Sequence, residues 1–219
     1  MMNSKAILKF LKQLDQNNNK VWFDANREDY QALRLNWISF AEQCLGYLGE
    51  KDKDFWQQDP RKCIFRINRD VRFSHNKKPY KNNFGAFFVP GGKNTPNAGY
   101  YVHLEPGRCA IAGGIYSPDK QKLDSIRQRL LDDKTKLPKI IKNKKFVQFF
   151  TDIDRQNSLK VRPVGYDKNH PRIDLIRLKG FTVWKPISDA QTADKDFFKT
   201  VCDHFDAMEE FINWLNEKN

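Results

Sequence analysis

Apolar residues recur at three- and four-residue steps near both ends of the chain and gather in short runs rich in aromatic and β-branched residues through its middle. The first pattern is that of a helix with one buried stripe; the second is that of strands. Ile7, Leu8, Leu11 and Leu14 predict a first helix opening at Ser4 as N-cap. Asn17, Asn18 and Asn19 end it, since asparagine competes for backbone hydrogen bonds and tolerates turns. Tyr30, Leu33, Trp37, Phe40, Cys44 and Leu48 predict a second helix from about Asp24 to Leu48. Phe198, Val201, Cys202, Phe205, Met208, Ile212 and Leu215 predict a last helix from about Ala193 to Leu215.

Between these helices, Cys63 to Ile67, Phe84 to Val89, Tyr100 to Glu105 and Cys109 to Tyr116 read as strands. Glu105-Pro106-Gly107-Arg108 is a tight-turn sequence, in which Pro presets one angle and Gly accepts the positive one. A looser link, Gly91 to Asn97, joins another pair. Gly113-Gly114 interrupts a strand and reads as a bulge in preference to a close approach by ligand or backbone. Ser117-Pro118-Asp119 opens a helix to about Leu131, with Ser as cap. An irregular lysine-rich segment then leads to Phe146 through Phe150. A strand near Leu159 to Pro163, a short helix near Arg172 to Lys179 and a strand from Phe181 to Ile187 follow. These elements predict one α+β domain over residues 1–219, an antiparallel meander bracketed by N-terminal and C-terminal helices. Within it, 1–50 is helical, 60–116 is the β-meander and 117–219 is mixed.

Composition narrows the classes. With 17 Phe, 7 Tyr and 5 Trp the chain can fill a real core, and 30% charged residues give it a solvated surface. No apolar run approaches the roughly 18 residues of a membrane span. The start, Met1 to Ile7, has no apolar signal core. Cys44, Cys63, Cys109 and Cys202 are scattered among apolar neighbours, without C-x-x-C spacing, and read as reduced core thiols and not a zinc site. The expectation is a cytoplasmic protein without a membrane partner and without a protein-held metal.

Charge adds a more specific pointer. Of the net +12, residues 60–83 carry eight Lys/Arg against Asp70, residues 134–145 six Lys and no acid, and residues 160–185 seven Lys/Arg against two Asp. Such segregation builds local positive potential that draws anions, although charge runs also serve as ordinary solvated surface. The densest run is Arg66 to Lys81. As one continuous strand it would turn Cys63, Phe65 and Ile67 to the core and Arg66, Asp70 and Arg72 outward. Arg69 would then fall on the apolar side. Either the strand breaks near Asn68, or Arg69 enters the core paired with a carboxylate.

The pattern R-x-x-R-D-x-R-F-S-x-x-K-x-P-Y-K in this run resembles that of the domain of unknown function 2461 family. Further matching points are Asn19 to Phe23 with Asn26, Tyr100-Tyr101, Gly113-Gly114 with Pro118, and Gly165-Tyr166 with Pro171 and Lys179. The similarity runs from about Ser4 to the last helix. It implies a single-domain α+β fold and no established activity, so it assigns no catalytic residue. Asn76 stands where an acid is expected and Tyr116 where Trp is common.

The candidate chemistry lies in two places. Arg66, Arg69, Arg72, Lys77 and Lys81 form an anion cradle in one reading; in the other, Arg69, Asp70 and Arg72 are a structural ion-pair network. Tyr101, His103 and Glu105 alternate along one strand and share a face, where histidine can move protons beside a carboxylate. Catalytic candidates are therefore His103, Glu105, Asp70 and Tyr101, with His170 a further one resting only on its basic neighbourhood. The alternative for the strand is an exposed polar face. P-loop, H-E-x-x-H, G-x-S-x-G and dinucleotide fingerprints are missing, and Phe84 to Val89 has the wrong spacing for an RNA-recognition strand. No cofactor is indicated. The leading expectation is a phosphorylated small molecule or nucleotide as ligand, with or without chemistry on it. Nucleic acid, or a structural or protein-interaction role, is the alternative.

Overall fold

The computed structural model describes residues 2–132 and 134–217. Helix α1 (Ser4–Gln16) buries Ile7, Leu8, Leu11 and Leu14, as the periodicity predicts. Its cap, however, is Asn3, whose side chain accepts from the Ala6 amide, while the Ser4 hydroxyl donates to the carbonyl of Thr192 at 2.6 Å. The predicted second helix is two, α2 (Lys20–Ala25) and α3 (Arg27–Gly49). They part at Asn26, whose side chain donates to the Trp22 carbonyl and competes with the helical ladder. A 3₁₀ turn at Lys53–Phe55 and helix α4 (Pro60–Cys63) follow, α4 being capped by Asp59. Cys63 is thus helical and not the start of a strand.

Four strands, β1 (Phe84–Phe88), β2 (Gly99–Leu104), β3 (Ala110–Ile115) and β4 (Phe181–Pro186), pair antiparallel in the order β1-β2-β3-β4. The β2–β3 turn closes as its sequence requires: the Arg108 amide donates to the Glu105 carbonyl at 2.9 Å, and Gly107 sits at φ 75°. Gly113-Gly114 is not a bulge, because the β2–β3 and β3–β4 registers run straight through it. The glycines answer to close approach instead. A Cβ on Gly113 would meet Met208 Sδ at 2.2 Å, and one on Gly114 would meet the Phe181 carbonyl oxygen at 2.0 Å.

Helix α5 (Lys120–Leu131) is capped by Asp119, which accepts from the Lys122 amide, and not by Ser117. After α6 (Leu137–Ile140), Phe146 through Phe150 lie in α7 (Lys144–Phe150), with Phe146 and Phe150 buried one turn apart. Leu159–Pro163 forms no strand; the chain there holds an isolated bridge between Ser158 and Leu178. Helix α8 (Ile173–Ile176) precedes β4, and α9 (Asp189–Thr192) precedes α10 (Phe197–Asn216). The last helix therefore starts at Phe197, with residues 189–192 capped separately by a Ser188–Gln191 capping box.

One core draws on both ends of the chain, from Ile7 to Leu215. Phe205, Met208, Phe211 and Ile212 of α10 are buried in it, with Trp37 and Phe40 of α3. Tyr100, Val102 and Leu104 of β2 face this core, as do Ala86 and Phe88 of β1. The four cysteines are free and buried. Burial pushes the thiols of Cys63 and Cys202 up to about 11 and that of Cys109 to about 12, which keeps them protonated at neutral pH. No helix among the described residues is long and apolar enough to cross a membrane.

Candidate functional site

Because side chains alternate across a strand, the sheet has a second face turned away from α10. Register fixes what stands there. Phe87 of β1 opposes Tyr101 of β2, Tyr101 opposes Ala112 of β3, and Ala112 opposes Trp184 of β4. A small residue between large rings makes a trough. Ala112 and Gly114 floor it, and Phe87, Tyr101, Trp184, Phe65 and Tyr116 wall it, leaving a groove of about 410 Å³. Asp154 and Thr182 supply its polar lining.

Phe65 belongs to the groove and not to the core, where a continuous strand would have put it. Ile64 bridges to Ala86 and the Phe65 amide donates to the Gly85 carbonyl at 2.9 Å, so this stretch adds a short edge beside β1. Ile64 and Ile67 turn inward; Phe65 is 42% exposed and packs edge-on to Tyr101, 6.1 Å between centroids. Two ammonium groups lie over its ring, Lys93 at 4.8 Å and Lys81 at 5.5 Å. Lys93 also donates to the Ile64 carbonyl at 3.1 Å. Burial lowers the pKa of both lysines, and the charges of Arg66 and Lys93 lower that of Lys81 further. Among the described residues, no carboxylate forms a salt bridge with Lys81, Lys93 or Arg66.

The predicted cradle is only partly assembled. Arg72 is engaged with Asp70, its Nε and Nη2 donating to the two carboxylate oxygens at 3.0 and 2.7 Å. That pairing holds the Asp70 carboxyl below the usual range. The first predicted option holds, since isolated bridges at Ile64 and Asn68 replace a continuous strand, and Arg69 donates to the Lys78 carbonyl at 3.1 Å and the Ser74 hydroxyl at 3.3 Å, with no carboxylate partner among the described residues. Lys77 donates to the Val71 carbonyl, Lys78 pairs with Asp15, and Asn76 accepts from the Lys78 amide. These contacts shape the 70–78 loop. The Asn68–Tyr80 bridge and the Lys81 amide on the Ile67 carbonyl close its base. Asp70 is exposed, so the pair with Arg72 is screened by water. Asp70→Asn is expected to leave the urea midpoint of unfolding unchanged; a clear drop would assign the pair a structural role.

Tyr101, His103 and Glu105 form a continuous hydrogen-bonded line, with Tyr101 Oη 2.8 Å from His103 Nδ1 and His103 Nε2 3.0 Å from Glu105 Oε2. Asn82 donates to Glu105 Oε1 at 3.1 Å, and Arg108 lies 3.6 Å from the same oxygen. His170 stands apart, accepting from the Arg172 amide at the start of α8. The sequence reading missed Lys93, Trp184, Phe65 as a groove residue, and Asn82. Trp184 was signalled by its alternation with the buried Val183; Lys93, in a glycine loop, carried no local signal.

Of the other basic segments, 160–185 runs into β4, whose Thr182 and Trp184 line the groove, and 134–145 lies elsewhere. Residues 134–145 lead into α7, which packs on β4 and α10, whereas 60–83 borders β1 at the opposite edge of the sheet. A family model described as conserved hypothetical protein (DUF2461) matches residues 6–214. Comparison with curated proteins and with solved structures returns no match.

Proposed function

The chain belongs to the DUF2461 family of conserved hypothetical proteins, and on that footing we propose that it binds a small molecule combining a planar ring with a phosphate, as a nucleotide does. One observation carries the reading: an aromatic-walled groove has at its lip a phenylalanine covered by two lysines that lack a carboxylate partner among the described residues. The Tyr101 and Trp184 rings, 6.4 Å apart between centroids, would hold a base laid against them by stacking, worth about 1–3 kcal/mol per base. Lys81 and Lys93, with Arg66 beside them, would receive the phosphate. A partly desolvated cation regains on binding an anion what it loses in leaving water. The groove suits one nucleotide-sized ligand.

The test is thermal denaturation with nucleotides, nucleosides and inorganic phosphate. A nucleotide at about 100 times its Kd adds roughly 2.7 kcal/mol, enough to raise Tm by about 5 °C at this chain length. Nucleoside or phosphate alone should shift it less, and Trp184→Ala should reduce the nucleotide effect. Equal shifts with inorganic phosphate alone would sink the planar half of the proposal.

A nucleic-acid reading has one observation of its own. Phe73, 95% exposed beside the Arg72 guanidinium, tops the basic 70–78 loop as a stacking side chain would. Binding of oligonucleotides that falls steeply with salt and is lost in Phe73→Ala would favour it.

A further inference from the structure

The Tyr101–His103–Glu105 line differs from an ordinary polar strand face in three ways. It begins in the groove, which Tyr101 lines. It ends under cover, the His103 and Glu105 side chains being 11% and 13% exposed. Its direction is set as well: Glu105 accepts on both oxygens, from Asn82 and from His103 Nε2–H, which leaves Nδ1 to accept from the Tyr101 hydroxyl. Strand β1 makes room for that hydroxyl. A Cβ on Gly85 would stand 2.6 Å from Tyr101 Oη and 3.1 Å from the Phe65 ring, so the hydroxyl and the ring that Lys81 and Lys93 cover both close on Gly85.

We infer that the groove is a hydrolytic site for phosphate esters, in which Tyr101, backed by His103 and Glu105, takes the proton of a water attacking a phosphate held by Lys81 and Lys93. The inference rests on the ligand proposed above. The water oxygen bonds to phosphorus and the ester P–O bond breaks. The water's proton passes to Tyr101 Oη as the phenolic proton moves to His103 Nδ1. Glu105 then faces an imidazolium across 3.0 Å, a pairing that offsets the cost of its charge under cover. The leaving oxygen takes a proton from solvent and the imidazolium returns one to solvent. An alcohol and inorganic phosphate result, with only water consumed. Burial and the Glu105 charge push the Tyr101 phenol up to about 12, which suits a hydroxyl that passes a proton on. The two lysines would balance charge on the transferring phosphoryl oxygens.

Two readouts in one sample test this. Wild type, Tyr101→Phe and His103→Gln are each mixed with the four ribonucleoside 5′-monophosphates, and melting shift and inorganic phosphate release are followed. The expected result is a shift in all three proteins, with release in wild type and a loss of about 10²–10⁴-fold in both variants. His103 acts through Tyr101, so its variant should lower kcat with KM held; a merely structural role would weaken the melting shift as well. A nucleotide that shifts wild type without phosphate release, or release kept within tenfold in both variants, overturns the relay and leaves the binding reading standing. Neither shift nor release with any of the four removes both.

Discussion

Gly114→Ala is expected to cost about 3–5 kcal/mol, a large part of the 5–15 kcal/mol that holds a typical domain folded. Two penalties act together. Gly114 sits at φ +113°, a region L side chains rarely adopt. Its new Cβ would also stand 2.0 Å from the Phe181 carbonyl oxygen and 2.9 Å from Thr182 Cα. Both obstacles are backbone of the neighbouring strand, so neither can rotate aside without breaking the β3–β4 ladder. Gly113→Ala meets chiefly the sulfur of Met208, in a flexible side chain, with the Gly99 carbonyl oxygen at 3.1 Å, and should cost about 1–3 kcal/mol. Gly92→Ala supplies the control for conformation alone, with φ +92° and nothing within 4 Å of the added carbon. Urea denaturation of the three variants should rank them Gly114, Gly113, Gly92 from most to least destabilised. If Gly114→Ala costs no more than Gly92→Ala, the close β3–β4 contact is not what keeps a glycine there.

That glycine pair also marks where reading along the chain stops. Alternation and stripe are local properties, so the four strands and the main helices were legible: Tyr100, Val102 and Leu104 point inward because each is two residues from the next. The identity of what crosses from neighbouring strands is not local. Gly113 reads as a bulge until Met208 of α10 is seen above it. Phe146 to Phe150 is too short to show whether its period is two or nearly four, and packing decides for a helix. The same limit divides the site. Tyr101, His103 and Glu105 were visible as one face of one strand, and they do form a line. Density of charge points to an anion cradle, and the fold commits part of that charge to contacts of its own. Arg72 is engaged by Asp70 two residues away, and Arg69 and Lys77 by carbonyls of their own loop. Lys93 joins the cluster from a loop beyond β1, drawn by the Ile64 carbonyl, a contact that only the folded register creates.

Removing Lys81 and Lys93 together, as Lys81→Met and Lys93→Met, is expected to weaken nucleotide binding by about 100-fold or more while leaving the ligand-free protein as stable as wild type, or more so. Methionine keeps an apolar stem over Phe65 and deletes only the charge. Hydrogen bonds to charged groups contribute about 1.5–3 kcal/mol each, and 1.4 kcal/mol is tenfold in affinity. The stability half follows from the sign of the shifts. Both lysines have folded-state pKa values below 10.5, so the fold disfavours their charged forms. Between the lowered values and 10.5 the unfolded chain binds more protons, and stability rises with pH; below that window the full cost of the charges is present. A bound phosphate reverses the sign, since an anion raises both pKa values, and binding in the window takes up protons. Calorimetry in buffers of different ionisation enthalpy should register that uptake for wild type, and the double variant should lose it. Cations kept for structure would give the opposite pair of results, a less stable double variant with ligand affinity intact, and the assignment of the phosphate to Lys81 and Lys93 would then fall.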